Sequence, residues 1–231
     1  MASKKIHIFA SLMCADQLYL AREIKALEKA GVDGFHLDIM DGLFVPNITL
    51  GFPILQAIRP LTSLPVTAHL MIREPERYIP RFAEAGADII SFHYESSRKI
   101  KSILGMLEEA KVKKAVAIKP KTAVEHIYPY LAKLDIVLVM SVEPGFAGGK
   151  FVSNSIERIK KLDGERKRRK LKFKIEVDGN INTRTIPSLY AAGAEIFIGG
   201  STGVFIKGKS FSEAIMALQQ AAYSGNLKQE D

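Results

Sequence analysis

The chain has little cysteine: one residue, Cys14, in 231. No internal disulfide can form, so nothing ties the fold to an oxidising compartment. Long apolar runs are also missing, and none approaches the ~18 residues that cross a bilayer. The first residues, "MASKKIHIFASLMC", hold no apolar stretch ahead of a cleavage site of signal-peptide type. These absences make the cytoplasm the expected location and exclude a membrane partner. Acidic side chains are outnumbered 25 to 33, which leaves a formal charge of +8. Such a balance raises the question of nucleic acid. The one concentrated basic run, "ERKRRKLKFK" (165–174), lacks the interleaved aromatic residues that stack bases. It reads as a solvated helix end and loop, and no nucleic-acid partner is expected.

What is present is a repeat. "AGVDGFHLD" (30–38), "AGADIISFH" (85–93) and "AGAEIFIGG" (192–200) share Ala-Gly-small-acidic followed by an apolar run. The glycine suits a left-handed helix end, and the run suits a buried strand. Strand candidates follow at 6–11, 35–40, 66–71, 88–93, 114–118, 135–141, 174–178 and 196–200. Helical patterns separate most of them. In "QLYLAREIKALEKA" (17–30), Leu18, Ala21, Ile24 and Leu27 fall at helical spacing. "PERYIPRFAEA" (75–85) opens with proline and ends before Gly86. Strand–helix alternation means a parallel sheet. Eight strands with no linker, in a chain that is 47% hydrophobic, point to one (β/α)8 TIM barrel over 1–231. An open doubly wound sheet is the alternative.

Barrel enzymes place chemistry at the C-terminal ends of the strands. There stand Ser11, His36, Asp38, Met40, His69, Met71, His93, Met140 and Asp178. In "GFHLDIMDG" (34–42), strand alternation puts His36, Asp38 and Met40 on one side and Phe35, Leu37 and Ile39 on the other. Asp41 falls on the other parity and reads as strand-end structure. His36, Asp38, His69 and Asp178 could meet at one mouth as a nitrogen–oxygen ligand set for a divalent metal. His7, His93 and His126 read as ordinary structural histidines. Met40, Met71 and Met140 are core residues or pocket lining. Three glycine-rich loops, "PGFAGG" (144–149), "DGN" (178–180) and "GGSTG" (199–203), can bring backbone N–H groups to a phosphate.

These residues together resemble the ribulose-phosphate 3-epimerase family. The likeness runs from "SLMCAD" (11–16) to "GVF" (203–205). It is carried by "HLDIMDGLFVPNITLG" (36–51), "HLMI" (69–72), "VMSVEPGFAGGKF" (139–151), "IEVDG" (175–179) and "AGAEIFIGGS" (192–201). The resemblance implies a barrel that inverts C3 of a ketose phosphate. Asp38 and Asp178 would be its acid and base. One divalent ion (Zn, Fe, Mn or Co) would be held by His36, Asp38, His69 and Asp178, with no organic cofactor. Ser11, His69 and the three methionines would contact substrate. Its phosphate would lie on Gly145, Phe146, Ala147, Gly148, Gly179, Gly200 and Ser201. The family also implies a homo-oligomer, dimer or hexamer. Leu43, Ala147, Gly149, Asn180 and a longer loop after the last strand depart from the usual pattern. "SLMC", "FAG" and that loop look like the allulose-6-phosphate 3-epimerase branch. "HLMI", "AIRPLT" and "KPKTAVE" look like the ribulose-phosphate branch. The expected reaction is interconversion of D-ribulose 5-phosphate and D-xylulose 5-phosphate, with allulose 6-phosphate to fructose 6-phosphate as the alternative.

Overall fold

The computed structural model describes residues 6–224. Residues 1–5 and 225–231 of the expected domain lie outside them. The eight strands are β1 His7–Ser11, β2 Gly34–Met40, β3 Val66–Met71, β4 Ile89–His93, β5 Lys113–Ile118, β6 Ile136–Met140, β7 Lys174–Asp178 and β8 Ile196–Gly199. All neighbours pair in parallel, and β8 returns to β1 to close the barrel. Each strand ends within one residue of the stretch read from sequence.

Among the described residues seven helices pack outside: α1 Leu20–Ala30, α2 Phe52–Ile58, α3 Ile79–Glu84, α4 Ile100–Glu109, α5 Ser155–Arg168, α6 Ile186–Ala191 and α7 Phe211–Ser224. The β5–β6 crossover carries only two 3₁₀ turns, Val124–Ile127 and Leu131–Lys133. Helix α1 begins later than its apolar spacing predicts. Asp16 accepts from Leu18 N and caps a 3₁₀ turn over Gln17–Tyr19, which shifts the helical phase. The packing face is therefore Leu20, Ile24 and Leu27. Leu18 is 88% exposed, and Ala21 also faces solvent.

The repeat has a physical reason. Gly31, Gly86 and Gly193 adopt φ of +92°, +100° and +116°, the left-handed turn that ends a helix. The acidic residue that follows clamps the start of the preceding strand. Asp33 accepts from Ile8 N at 2.9 Å, and Asp88 from Val66 N at 2.8 Å. Asp135, outside the glycine motif, accepts in the same way from Lys114 N at 2.8 Å. Glu195, at the equivalent place before β8, pairs with Arg166 at 2.6 Å.

Two cores result. Between strands and helices lie Phe35, Leu37 and Ile39 with Ile24, Leu27 and Leu55, all buried. Each such side chain contributes on the order of 1.5–3 kcal/mol. Inside the barrel, Phe9, Ile89, Ile136 and Ile196 form an apolar layer. The rest of the interior is shared by polar side chains, among them His36, Thr67, Ser91 and Glu176, and apolar ones such as Ala117, Leu138 and Met140.

At one residue the basic run is less solvated than its composition suggests. Arg166 is buried and bonds Asp163, Glu195 and the Phe173 carbonyl. Lys167 pairs with Asp163, Arg168 with Glu165, and Arg169 donates to the Tyr128 carbonyl.

Candidate active site

Strand β2 sends His36, Asp38 and Met40 inward, all nearly buried. Its register on β3 sets Asp38 beside His69 and Met40 beside Met71. Strand β7 contributes Glu176 and Asp178, with Asp178 level with Met140 of β6. Ligand atoms of His36, Asp38, His69 and Asp178 all lie within 4.8 Å of one another. His36 Nε2 and His69 Nδ1 stand 3.1 Å apart. Asp38 Oδ1 is 3.1 Å from His69 Nδ1 and 3.4 Å from His36 Nε2. Asp178 Oδ2 is 4.0 Å from His69 Nδ1.

Two imidazole nitrogens and two carboxylates turned toward one point call for positive charge. A proton can satisfy the pair of nitrogens only singly, whereas a divalent cation can take all four donors. The donor set fits such an ion. The protonation pattern reflects the same need. Burial works against a charged His36, but Asp38 and Glu176 outweigh it and hold its pKa well above the usual value. Burial and neighbouring imidazoles push His69 down to about 3. Asp38 is buried too, yet the charged His36 beside it keeps it far below the usual carboxylate range. Burial and the Asp38 charge raise Asp178 to about 7.

The surrounding polar groups fix these side chains. Ser11 Oγ donates to Asp38 Oδ2 at 2.7 Å. Thr49 Oγ1 donates to the Asp38 carbonyl at 2.5 Å. Glu176, fully buried, lies 3.4 Å behind His36 Nδ1. Asp41 stands off the inner face: it accepts from Leu43 N, Phe44 N and Arg73 N and locks the loop after β2.

Above the acids, one mouth is lined by Ser11, Met40, Met71, Met140, Asp38 and Asp178. The loops bring Gly145, Phe146, Ala147, Gly148, Gly179, Gly200 and Ser201 to the same rim. His36 and His69 sit a layer deeper, with no exposed surface. Gly179 has φ of +115°, and a Cβ there would come within 2.6 Å of Val142. Asn180 Nδ2 donates to the Gly149 carbonyl at 2.9 Å, joining two of the three loops. Asn47 Nδ2 donates to the Gly145 carbonyl at 2.8 Å and ties the loop after β2 to the loop after β6. Two larger hollows, of about 740 and 1150 Å³, lie elsewhere and contain neither Asp38 nor Asp178.

A sequence model of the "Ribulose-phosphate 3 epimerase family" matches residues 7–205. The chain belongs to that family. Like its named relatives, this family member is an isomerase. It is 44% identical over 199 residues to a ribulose-phosphate 3-epimerase of Bacillus subtilis, covering 85% of this chain and 91% of that one. A ribulose-phosphate 3-epimerase of Synechocystis is 40% identical over 221 residues, covering 95% of each. Among solved structures, KGPDC from Streptococcus mutans superposes with a TM-score of 0.69 at 14% identity, over 96% of this chain and 99% of that one. The tryptophan synthase α-subunit of Pyrococcus furiosus does so at 0.66 and 15%, over 97% and 100%. At that identity the likeness is one of fold alone.

Some residues of this family member's site escape the sequence reading. His93 is more than an ordinary structural histidine: its Nε2 lies 3.0 Å from His69 Nε2. Glu95 lies 3.3 Å from the other side of His93. Glu176 shares strand parity with Asp178, and a glutamate between Ile175 and Val177 was the available signal. Cys14 lines the mouth with Met13 and Thr202, but burial and the two aspartates raise its thiol to about 11, which leaves it protonated. His7 pairs with Asp33, and His126 stacks on Tyr94.

Proposed function

We propose that this chain inverts C3 of a ketose phosphate and interconverts D-ribulose 5-phosphate and D-xylulose 5-phosphate. The observation that carries this reading is the pair Asp38 and Asp178, two carboxyl groups at one mouth whose oxygens converge with the nitrogens of His36 and His69. Two carboxyls in unlike surroundings can divide the roles of base and acid. The names of the relatives support the same substrate.

Inversion needs a proton removed from one face of C3 and another delivered to the opposite face. One carboxylate cannot serve both faces. Asp38 and Asp178 come from β2 and β7, three strands apart around the ring, and flank the mouth. Asp38, kept ionised and oriented by Ser11, takes the proton in one direction of reaction. Asp178, protonated, returns one from the other side. In the reverse direction they exchange roles. Met40, Met71 and Met140 present apolar surface over the reacting carbons and keep water from the carbanionic species. Backbone N–H groups of the 145–148, 179 and 200–201 loops receive the phosphate. His36, Asp38, His69 and Asp178 would hold a divalent cation, which supplies Lewis-acid stabilisation of the charge that develops beside the C2 carbonyl. No organic cofactor is needed for this chemistry. A cytoplasmic setting and a homo-oligomeric state belong to the same reading.

The test is kcat/KM on two substrate pairs with one metal-loaded preparation. Ribulose 5-phosphate to xylulose 5-phosphate is expected to exceed allulose 6-phosphate to fructose 6-phosphate. The reverse order would move the assignment to the six-carbon substrate, and turnover of neither pair would end the epimerase reading. Asp38→Asn and Asp178→Asn should each lower kcat by at least ~10³-fold, within the span that acid–base groups contribute.

A further inference from the structure

The four convergent donors account for one face of His69. Its other face enters a chain of buried groups that the reaction does not use. His69 Nε2 lies 3.0 Å from His93 Nε2. His93 Nδ1 lies 3.3 Å from Glu95 Oε2. The other Glu95 oxygen, Oε1, accepts from the backbone N–H of Lys119 at 2.8 Å and from the Thr122 hydroxyl. Arg158, buried under the C-terminal end of β5, donates to the carbonyls of Ile118 and Lys119. The two histidines have no exposed surface, and the Phe44 ring lies 4.9 Å from the His93 ring.

Hydrogen positions along this chain follow from its far end. A carboxylate can only accept, so the proton of a neutral His93 sits on Nδ1, facing Glu95. His93 Nε2 is then the acceptor, and His69 must donate from Nε2. That leaves the lone pair of His69 on Nδ1, the atom 3.1 Å from Asp38 Oδ1 and 3.1 Å from His36 Nε2. The opposite tautomer would aim an N–H into the four-donor cluster and present no lone pair to a cation. We propose that His93 and Glu95 are positioning residues that set the His69 tautomer and keep its Nδ1 free for the metal. The inference rests on the metal reading above. A hydrogen-bonded partner behind a ligating imidazole is a general means of fixing tautomer and ring orientation. Here a second imidazole lies between ligand and carboxylate, so the proton order is transmitted over two rings.

Glu95→Gln distinguishes this role from simple packing. The variant side chain keeps the shape, and its oxygen must still face the Lys119 N–H. Its NH2 group therefore takes the place of Oε2 and donates to His93 Nδ1. His93 then carries its proton on Nε2, and His69 is driven to the Nδ1–H form. The experiment uses the full chain. Zn(II) affinity is measured by competition with a chromophoric chelator, and the histidine tautomers are read by 15N NMR of metal-free protein labelled at histidine. The wild type should show His69 protonated on Nε2. Glu95→Gln should move that proton to Nδ1 and weaken Zn(II) binding about 10- to 100-fold, the usual effect of losing such a partner. Unfolding of the metal-free variant should stay close to wild type, which a packing defect would not allow. The inference is overturned if Glu95→Gln binds Zn(II) within threefold of a wild type that itself binds, or if wild-type His69 carries its proton on Nδ1. Should the variant fail to fold, the wild-type spectrum decides alone. A wild type that takes up no Zn(II) overturns the metal reading instead, and the tautomer measurement still decides the inference.

Discussion

Ser11 shows how much a single donor can matter in this site. Its hydroxyl holds one oxygen of Asp38 while the imidazoles face the other. A hydrogen bond to a buried charge is worth ~1.5–3 kcal/mol, so Ser11→Ala should lower kcat/KM roughly 10- to 100-fold. Unchanged steady-state kinetics would show that Asp38 needs no such hold. Asp178 gives a prediction in the opposite sense. Its folded pKa of about 7 lies above the ordinary carboxyl value. The folded chain therefore keeps a proton that the unfolded chain releases. The contribution of this group to stability is present at acid pH and is lost as pH rises from ~4 through 7. In metal-free protein, Asp178→Asn should gain stability over wild type across that window, by up to about 4 kcal/mol. Urea unfolding at pH 4 to 8 in the presence of chelator measures the difference. A gap that does not change with pH would mean that Asp178 is ionised throughout. The main site residues were legible at this scale because strand parity alone puts His36 with Asp38 and His69 with Met71. His93 stands among the strand-end residues, but its contact with His69 and the Glu95 carboxylate behind it depend on side-chain directions that spacing along the chain does not reveal.

At the level of elements, continuous apolar runs made every strand readable. Both faces of these strands are buried, so polar residues interrupt the apolar runs only at inner-face positions such as His36 and Asp38. Helices were harder to place. The phase of α1 is set by the Asp16 cap rather than by the spacing of Leu18 and Ala21, and competition of this kind is decided by a hydrogen bond. The basic run is the solvated helix end and loop that its composition suggests, except at Arg166, which looks like its neighbours in sequence and is buried by the approach of Glu195 and Asp163. The loops carry a sharper prediction. Gly179 combines a left-handed backbone with a Cβ position already filled by Val142. Gly179→Ala should cost on the order of 1–3 kcal/mol in strain and should displace the adjoining Asp178, so kcat should fall with stability. A variant with wild-type Tm and kcat would show that the β7 end can shift freely.

Across the whole molecule, the barrel interior is unusual in what it buries. His36, His69, His93, Asp38 and Glu176 occupy space that apolar side chains fill in the layer below. Buried charge without a partner is costly. A cation that binds only the folded chain adds RT ln(1 + [M]/Kd), ~2.7 kcal/mol at a hundred times Kd. Chelation should therefore lower Tm by several degrees, and Zn(II), Mn(II) or Co(II) should restore it in the order of affinity. A Tm indifferent to chelator would argue against a resident ion.

The carboxylate clamps at the base of the barrel divide the chain into pairs. Asp33 binds the start of β1, Asp88 that of β3 and Asp135 that of β5, so β2, β4 and β6 are each latched to the odd strand before them. Among the described residues, no carboxylate clamps the β2–β3, β4–β5 or β6–β7 boundary in this way. The first six strands are thus jointed into three two-strand modules, with seams at alternate strand boundaries. Circular permutation exposes such seams. New termini at Ser63, between α2 and β3, leave all three latches within continuous modules. New termini at Val32 separate Asp33 from the helix that delivers it. The first permutant should refold and the second should be the less stable of the two, so the placement of three carboxylates marks where this barrel can be cut.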